Sequence, residues 1–250
     1  MLRKYKLEVC SNSIQSAINA ENGGADRIEL CDNLLEGGTT PSYACLDIAK
    51  SILSIPINVL IRPRGGDFLY NPIEKEIILR DIEYCRDLNL NGVVIGCLNK
   101  EGEIDIDFLD HMLEIAGPMS ITFHRAIDMA KDMIESVEIL KRRGINRILT
   151  SGGAANAIEG KETIRRMVEA ASGKISIMAG GGINSDNIAS LIEYTNITEC
   201  HVSGKHQKQS SMEYKKTDVN MNGQVDYDEY SIMETSEKAI QNIIGILNNM

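Results

Sequence analysis

A chain of 250 residues, 43% of them hydrophobic and 25% charged, has the composition of a water-soluble protein with one large core. Its net charge of −10 and its lack of a long Lys/Arg-rich run argue against nucleic acids and membrane surfaces as partners. Six cysteines without a close Cys-x-x-Cys pair, and a beginning without an apolar signal segment, predict reduced thiols and a cytoplasmic location.

Eight short apolar runs follow one another along the chain and are predicted to be strands. They start roughly 20 to 35 residues apart, which is the length of a strand–helix unit. Between them lie stretches with helical periodicity, such as Ile134, Val137 and Leu140, and a last helix is predicted from Ser236 to Asn248. The runs occupy residues 6–10, 27–31, 57–67, 92–98, 120–127, 147–153, 175–183 and 199–205.

This series predicts a single-domain (β/α)8 TIM barrel over residues 1–250, which is about the usual length for that fold. An open, doubly wound sheet is the alternative, but a regular series without a linker favours closure. A polar stretch over residues 206–235 is predicted to be a long loop between the eighth strand and the last helix. On a barrel this loop would overhang the C-terminal face, where barrel enzymes carry their sites.

The first two predicted strands each carry a Glu-x-Cys pattern. Because side chains alternate along a strand, Glu8 and Cys10 share one face, and Glu29 and Cys31 share the corresponding face of the next strand. Two thiols at matching positions of neighbouring strands suit Cu(I), and they suit Zn(II) less well because Zn(II) prefers four ligands. The alternative is that both cysteines simply pack as small apolar side chains.

The third predicted strand carries Arg62 and Arg64 toward its end, and the fifth carries His124 toward its end. Arg62 and Arg64 are predicted to share a face and to clamp an anion. His124 is a candidate catalytic acid or base, together with Glu8 and Glu29. In the alternative interpretation the two glutamates form structural ion pairs with Arg62.

Glycines follow the last predicted strands. Gly181 and Gly182 belong to a triple glycine after the seventh strand, and Ser203 precedes a glycine after the eighth. Barrels often bind phosphate with these two loops, so Gly181, Gly182, Ser203 and Arg125 are predicted to contact an anionic substrate. Glycine-rich turns are also ordinary chain reversals. His201 and Ser203 alternate on the eighth strand and therefore share a face.

A calcium-loop pattern lies within the polar stretch, from Asp218 to Glu229. The pattern requires an entering helix, and the preceding residues 210–216 have no helical apolar face. We therefore predict a polar surface loop that does not bind calcium. The positions that fit the pattern are Asp218, Asn220, Asn222, Gly223, Gln224, Asp226 and Glu229.

These motifs together resemble the CutC family, which is named for copper homeostasis. The resemblance runs from about Leu7 to Leu247, and its specific segments include GGADRIELC (Gly23–Cys31), IRPRGGDFLY (Ile61–Tyr70) and TFHRAID (Thr122–Asp128). It implies a cytosolic TIM barrel that takes part in copper handling. The resemblance also implies that Cys10 and Cys31 are the copper ligands.

Two hypotheses follow for the function. The first is a cytoplasmic copper-binding protein that holds Cu(I) at Cys10 and Cys31. The second is a barrel enzyme that acts on a small anionic compound, such as a phosphorylated one, at the polar mouth. A purely structural or partner-binding barrel is a third class, but it leaves the polar strand ends without a use. The expected partners are a metal ion or a small anion, and we expect a homo-oligomer.

Overall fold

The computed structural model describes residues 3–216, 218–219, 221 and 228–250, and it contains a closed barrel of eight parallel strands. Each strand pairs with the next one along the chain, and the eighth pairs with the first. The predicted (β/α)8 TIM barrel is confirmed, and the open sheet is excluded. The strands are β1 (Lys6–Ser11), β2 (Arg27–Leu30), β3 (Ile57–Leu60), β4 (Gly92–Ile95), β5 (Ser120–Phe123), β6 (Arg147–Thr150), β7 (Ser176–Gly180) and β8 (Glu199–Val202).

Helices alternate with the strands, and most of them begin at a side-chain cap. The Asn71 side chain accepts the N–H of Glu74 at 3.0 Å, and the Glu74 carboxylate accepts the N–H of Asn71 at 2.9 Å. Val137 and Leu140 are fully buried, as their periodicity predicts. Ser236 caps the last helix instead of starting it. The helices are α1 (Ile14–Asn22), α2 (Tyr43–Ile52), α3 (Pro72–Asp87), α4 (Ile106–Ala116), α5 (Met133–Arg142), α6 (Lys161–Ala171), α7 (Ile188–Thr195) and α8 (Glu237–Asn248).

Side chains alternate between the two faces of the barrel wall. Leu7, Val9 and Ile28 are fully buried and belong to the main apolar core, which also includes residues of the helices. The residues between them on β1, Glu8 and Cys10, belong to the opposite face and are buried inside the barrel. The interior of this barrel is therefore polar on the first strands, which is the arrangement that the Glu-x-Cys patterns predict.

The polar stretch over residues 206–235 is not a loop along its whole length, because a strand lies at each of its ends. Strand β9 (Lys205–Gln209) pairs antiparallel with β10 (Ser231–Thr235). The Thr235 N–H donates to Ser16 Oγ of α1 at 3.1 Å, which fixes the end of this hairpin to the barrel. The sequence KHQKQ of β9 is exposed throughout and has no apolar alternation, so its pairing could not be recognised from its pattern.

The calcium-loop pattern falls largely outside the described residues, since Asn220 and residues 222–227 are not described. Residues 210–216, all of which are described, form no helix. A calcium-binding loop of this type needs that helix. The absence of calcium binding therefore stays a prediction. In the part of the chain that the structure describes, every helix is too short or too polar to cross a bilayer.

Candidate functional site

Cys10 and Cys31 lie side by side inside the barrel, where β1 and β2 end. Cys10 is opposite Glu29 in the register of the two strands, and Cys31 follows β2 directly. The two Sγ atoms are 3.5 Å apart, and both lie within 4.8 Å of a Glu29 carboxylate oxygen. All three side chains are buried, and Leu60 and Val94 pack against the thiols. The structure thus brings two free thiols and one carboxylate together under an apolar cover.

His201 of β8 lies next to this thiol–carboxylate cluster. Its Nδ1 is 2.9 Å from a Glu8 carboxylate oxygen, and its Nε2 is 3.6 Å from a Glu29 carboxylate oxygen. Burial opposes the charged imidazolium, but Glu29, Cys10 and Glu8 outweigh burial and raise the pKa of His201 well above its ordinary value. Burial raises the pKa of Glu29, and the negative charge of Glu8 adds to the effect. An imidazolium between two carboxylates therefore balances the charge beside the thiols.

The Cys10 thiol holds its proton strongly. The hydrogen bond with Cys31, burial and the Glu29 carboxylate all raise the pKa of Cys10 well above its ordinary value. A nucleophilic cysteine needs the opposite, a lowered pKa that yields a thiolate at neutral pH. Cys10 is therefore not set up as a nucleophile, and any metal that bound its sulfur would have to displace this proton.

A buried charge network closes the barrel beneath the cluster. Arg27 forms ion pairs with Glu8 and Glu199, and all of these groups are buried. Burial works against the Glu8 carboxylate, but Arg27 and His201 hold its pKa well below its ordinary value. The alternative ion pair with Arg62 is not formed. Because Glu8 is fully buried and engaged by these two cations, it has no access to a substrate as a catalytic acid or base.

A cavity of about 460 Å³ opens above the cluster at the C-terminal mouth of the barrel. Most of the predicted site residues meet in its wall, which includes Cys10, Glu29, Arg62, His124, Arg125, Gly181, Gly182 and Ser203. Cys31 lies behind Cys10 and does not line the cavity. The wall also contains His201, Lys205 and the apolar side chains of Leu34, Leu60, Phe68, Leu149, Ile183 and Val202.

Arg62 and Arg64 do not form the predicted clamp. Arg62 is buried in the cavity wall, and its guanidinium donates to the Gly66 carbonyl at 2.7 Å. Arg64 lies outside the cavity and donates to the Glu74 carboxylate at 2.6 Å. Strand β3 ends at Leu60, so the alternation that would place both arginines on one face does not continue to them. Of the two arginines predicted to bind an anion, only Arg62 lines the cavity.

His124 follows β5 and caps the short 3₁₀ helix Arg125–Met129. Its Nδ1 accepts the N–H of Ala126 at 3.1 Å, so the hydrogen-bond pattern assigns the proton to Nε2. Burial and the neighbouring Arg62 charge lower the pKa of His124 to about 3. The imidazole is therefore neutral near pH 7 and a poor general base, which argues against the predicted acid or base role, and its Nε2–H has no acceptor among the described residues.

The other residues predicted to contact an anion differ in whether they are free to bind one. Arg125 is already paired, because it donates to the Asp128 carboxylate at 2.7 Å and to Ser151 Oγ at 2.6 Å. Gly181 and Gly182 have φ values of +96° and +73°, which favour glycine over any other residue. Their turn bends the chain around the cavity wall. Arg125 consequently holds the loop after β6, whereas the glycines shape the wall.

Two important residues were not among the predicted site residues. Alternation predicts only that His201 shares a face with Ser203, whereas the contacts of His201 depend on closure of the barrel, which sets β8 beside β1. Arg27 begins β2 directly opposite Glu8. Register between strands is not visible in a single sequence, so neither the ion pair of Arg27 nor the position of His201 between two glutamates could be read from the pattern.

A family model, relatives by sequence and a solved structure all relate this chain to one family. The model of the CutC family matches residues 5–206. A family protein CutC from Bacteroides thetaiotaomicron is 44% identical over 249 residues, covering 99% of this chain and 100% of that protein. The human protein named copper homeostasis protein cutC homolog is 41% identical over 246 residues, covering 98% of this chain and 90% of that protein. A crystal structure of CutC from Streptococcus agalactiae superposes with a TM-score of 0.76 at 32% identity, covering 80% of this chain and 98% of that one.

Proposed function

The chain belongs to the CutC family, and we propose that it takes part in copper homeostasis in the cytoplasm by binding Cu(I) at Cys10 and Cys31. The observation that carries the proposal is the separation of 3.5 Å between two free, buried Sγ atoms at the mouth of the barrel. Thiolates are soft ligands, and Cu(I) is a soft ion. A single ion between the two sulfur atoms would use both side chains without unfolding the strands.

The donor set favours Cu(I) over Zn(II). Cys10, Cys31 and Glu29 are the residues whose ligand atoms lie within 4.8 Å of one another among the described residues. A structural zinc site is closed by four ligands, most often cysteine and histidine. The nearest histidine, His201, holds its proton between two carboxylates and is thereby unavailable as a ligand. Two thiolates with one weak oxygen donor suit Cu(I) better.

The surroundings of the thiols support a charged complex. A copper ion held by two thiolates carries a net negative charge, which is costly to bury without compensation. The His201 imidazolium and Arg27 offset the neighbouring glutamates, so a negative complex at the thiols would not face uncompensated carboxylates. Leu60 and Val94 pack against the thiols, which limits the access of water and oxidants to the sulfur atoms. Reduced thiols of this kind are typical of the cytoplasm.

The test is an anaerobic titration of the reduced, metal-free protein with Cu(I) in competition with a chromophoric Cu(I) chelator. We expect one tightly bound Cu(I) per chain in the wild type, and loss of that site in the Cys10→Ser/Cys31→Ser double variant. Cys45→Ser is the matched control, because Cys45 is a free, partly exposed thiol on α2. Each variant is checked for folding by circular dichroism.

Copper binding that is unchanged in the double variant would contradict the ligand assignment. If the double variant does not fold, the single variant Cys10→Ser still decides the question, since serine is nearly the same size and Cys10 lies at the cavity wall. Loss of copper in Cys45→Ser as well would show that the protein binds Cu(I) through scattered thiols and not at this pair.

A further inference from the structure

Arg62 is a buried cation without a carboxylate partner. It exposes only 6% of its surface, and its guanidinium donates to the carbonyls of Glu36, Gly38 and Gly66 at 2.8, 3.0 and 2.7 Å. No carboxylate among the described residues forms an ion pair with it. The nearby Tyr70 phenol supplies no charge either, because burial raises its pKa to about 12. A buried charge that lacks a counter-charge is costly, so its retention at a cavity needs an explanation.

Two hydrogen-bond donors of the cavity wall have no acceptor. Arg62 Nε and His124 Nε2 are both buried, and neither has a partner among the described residues. Arg62 carries a proton on Nε at all times, and the Ala126 N–H at Nδ1 of His124 assigns the His124 proton to Nε2. Both residues line the cavity, and His124 exposes only 5% of its surface. Two orphaned donors, one of them charged, are complementary to an oxyanion.

The rest of the cavity is suited to a molecule larger than an inorganic ion. Its volume of about 460 Å³ falls in the range of small-molecule sites, about 300 to 1,000 Å³. A bound copper ion would fill only a small part of it. The wall is largely apolar away from the donors, with Leu34, Phe68, Leu149, Ile183 and Val202. A small molecule with an oxyanion group at one end and an apolar body would match both the donors and the apolar part of the wall.

We propose that the cavity is a binding site for a small organic anion, a carboxylate or phosphate monoester, whose oxyanion is held by Arg62 and His124 and whose body packs on the apolar wall. The ligand neutralises the Arg62 charge and accepts from both orphaned donors. Cys10 and Glu29 line the same cavity, so the ligand lies beside the proposed copper site. The proposal goes beyond copper binding and does not depend on it.

The experiment measures ligand-dependent melting of the reduced, metal-free protein with benzoate, phenyl phosphate and inorganic phosphate as probes. Sodium chloride at equal ionic strength gives the baseline. Benzoate or phenyl phosphate should raise the melting temperature in a saturable way, since a ligand that binds only the native state stabilises it. Arg62→Lys should raise the half-saturating concentration at least about tenfold, because lysine lacks the Nε donor and the forked geometry of arginine. Arg64→Lys, outside the cavity, should leave it unchanged.

Three results would overturn the proposal. The first is that none of the probes stabilises the protein more than chloride does. The second is an equal response of Arg62→Lys and Arg64→Lys. The third is an equal half-saturating concentration for inorganic phosphate and phenyl phosphate, which would remove the organic body from the ligand. If Arg62→Lys does not fold, His124→Asn replaces it, because asparagine keeps the cap of the 3₁₀ helix but does not reach the position of Nε2.

Discussion

Replacing His124 by asparagine should change how the stability of the protein depends on pH. His124 is buried, and its pKa falls from an ordinary value of 6.5 to about 3 in the folded protein, through burial and the Arg62 charge. Because the folded pKa is lowered, the unfolded chain takes up the proton first. The stability that comes from a neutral His124 is therefore complete above pH 6.5 and is lost as the pH falls toward 3.

The size of the effect follows from the two pKa values. Each pKa unit corresponds to about 1.4 kcal/mol, so protonation of the unfolded chain costs the folded state about 2 kcal/mol at pH 5 and about 3 kcal/mol at pH 4. Asparagine does not titrate, and it still accepts the Ala126 N–H as a cap. It loses the ring contact with Phe68, whose centroid is 4.9 Å from the imidazole, which we expect to cost about 1 kcal/mol at pH 7.5.

The measurement is urea unfolding of both proteins between pH 4 and pH 8. The variant should be the less stable protein at pH 7.5 and the more stable one at pH 5, with a relative gain of about 2 kcal/mol across that interval. His111→Asn removes an exposed imidazole and serves as the control, for which no such crossing is expected. Stability curves of wild type and His124→Asn that stay parallel down to pH 4 would refute the argument, because His124 would then titrate equally in both states.

Three further outcomes are expected. Arg27→Met should lower the free energy of unfolding by about 3 kcal/mol, since the buried carboxylates of Glu8 and Glu199 lose the cation they share and keep only His201 and Arg147. Arg143→Ala at a surface pair should cost under about 1 kcal/mol in the same urea titration. Gly152→Ala should abolish cooperative thermal unfolding or lower the melting temperature far more than Gly173→Ala. The two glycines have similar φ values, +75° at Gly152 and +70° at Gly173. A Cβ added at Gly152 would lie 2.2 Å from a backbone oxygen, whereas a Cβ added at Gly173 would have no atom within 4 Å. Calcium should leave the melting temperature unchanged, and a calcium-dependent rise that is lost on mutation of residues 218 and 229 would contradict this.

The fold could be predicted from the sequence because its signals are local. Strand and helix periodicities repeat in regular order, and eight apolar runs correspond to β1 through β8. Closure followed from the regularity of that series. The β9–β10 hairpin was missed because its strands are solvent-exposed or partly so, and an exposed two-stranded pair needs no apolar alternation.

The positions of the site residues could be predicted only where the alternation of side chains along a single strand determines them. Cys10 and Cys31 meet as expected because each lies on or next to a regular strand. Arg62 and Arg64 separate because they lie beyond the end of β3, where period-two alternation no longer holds. The partners of Glu8 come from β2 and β8, and this depends on register and closure. Contacts that depend on how separate strands pair therefore could not be predicted from the sequence.

The mouth of the barrel has two halves with opposite chemical needs. The half formed by β1 and β2 offers thiols and a carboxylate, which are groups suited to a cation. The half around Arg62 and His124 offers donors without acceptors, which are groups suited to an anion. Under the proposed function, one monovalent copper ion would replace two thiol protons, so the first half would become more negative when it is occupied. An anion in the shared cavity should then bind less tightly, and by thermodynamic linkage the anion must weaken copper binding by the same factor. The two ligands would compete through charge even though they touch different side chains.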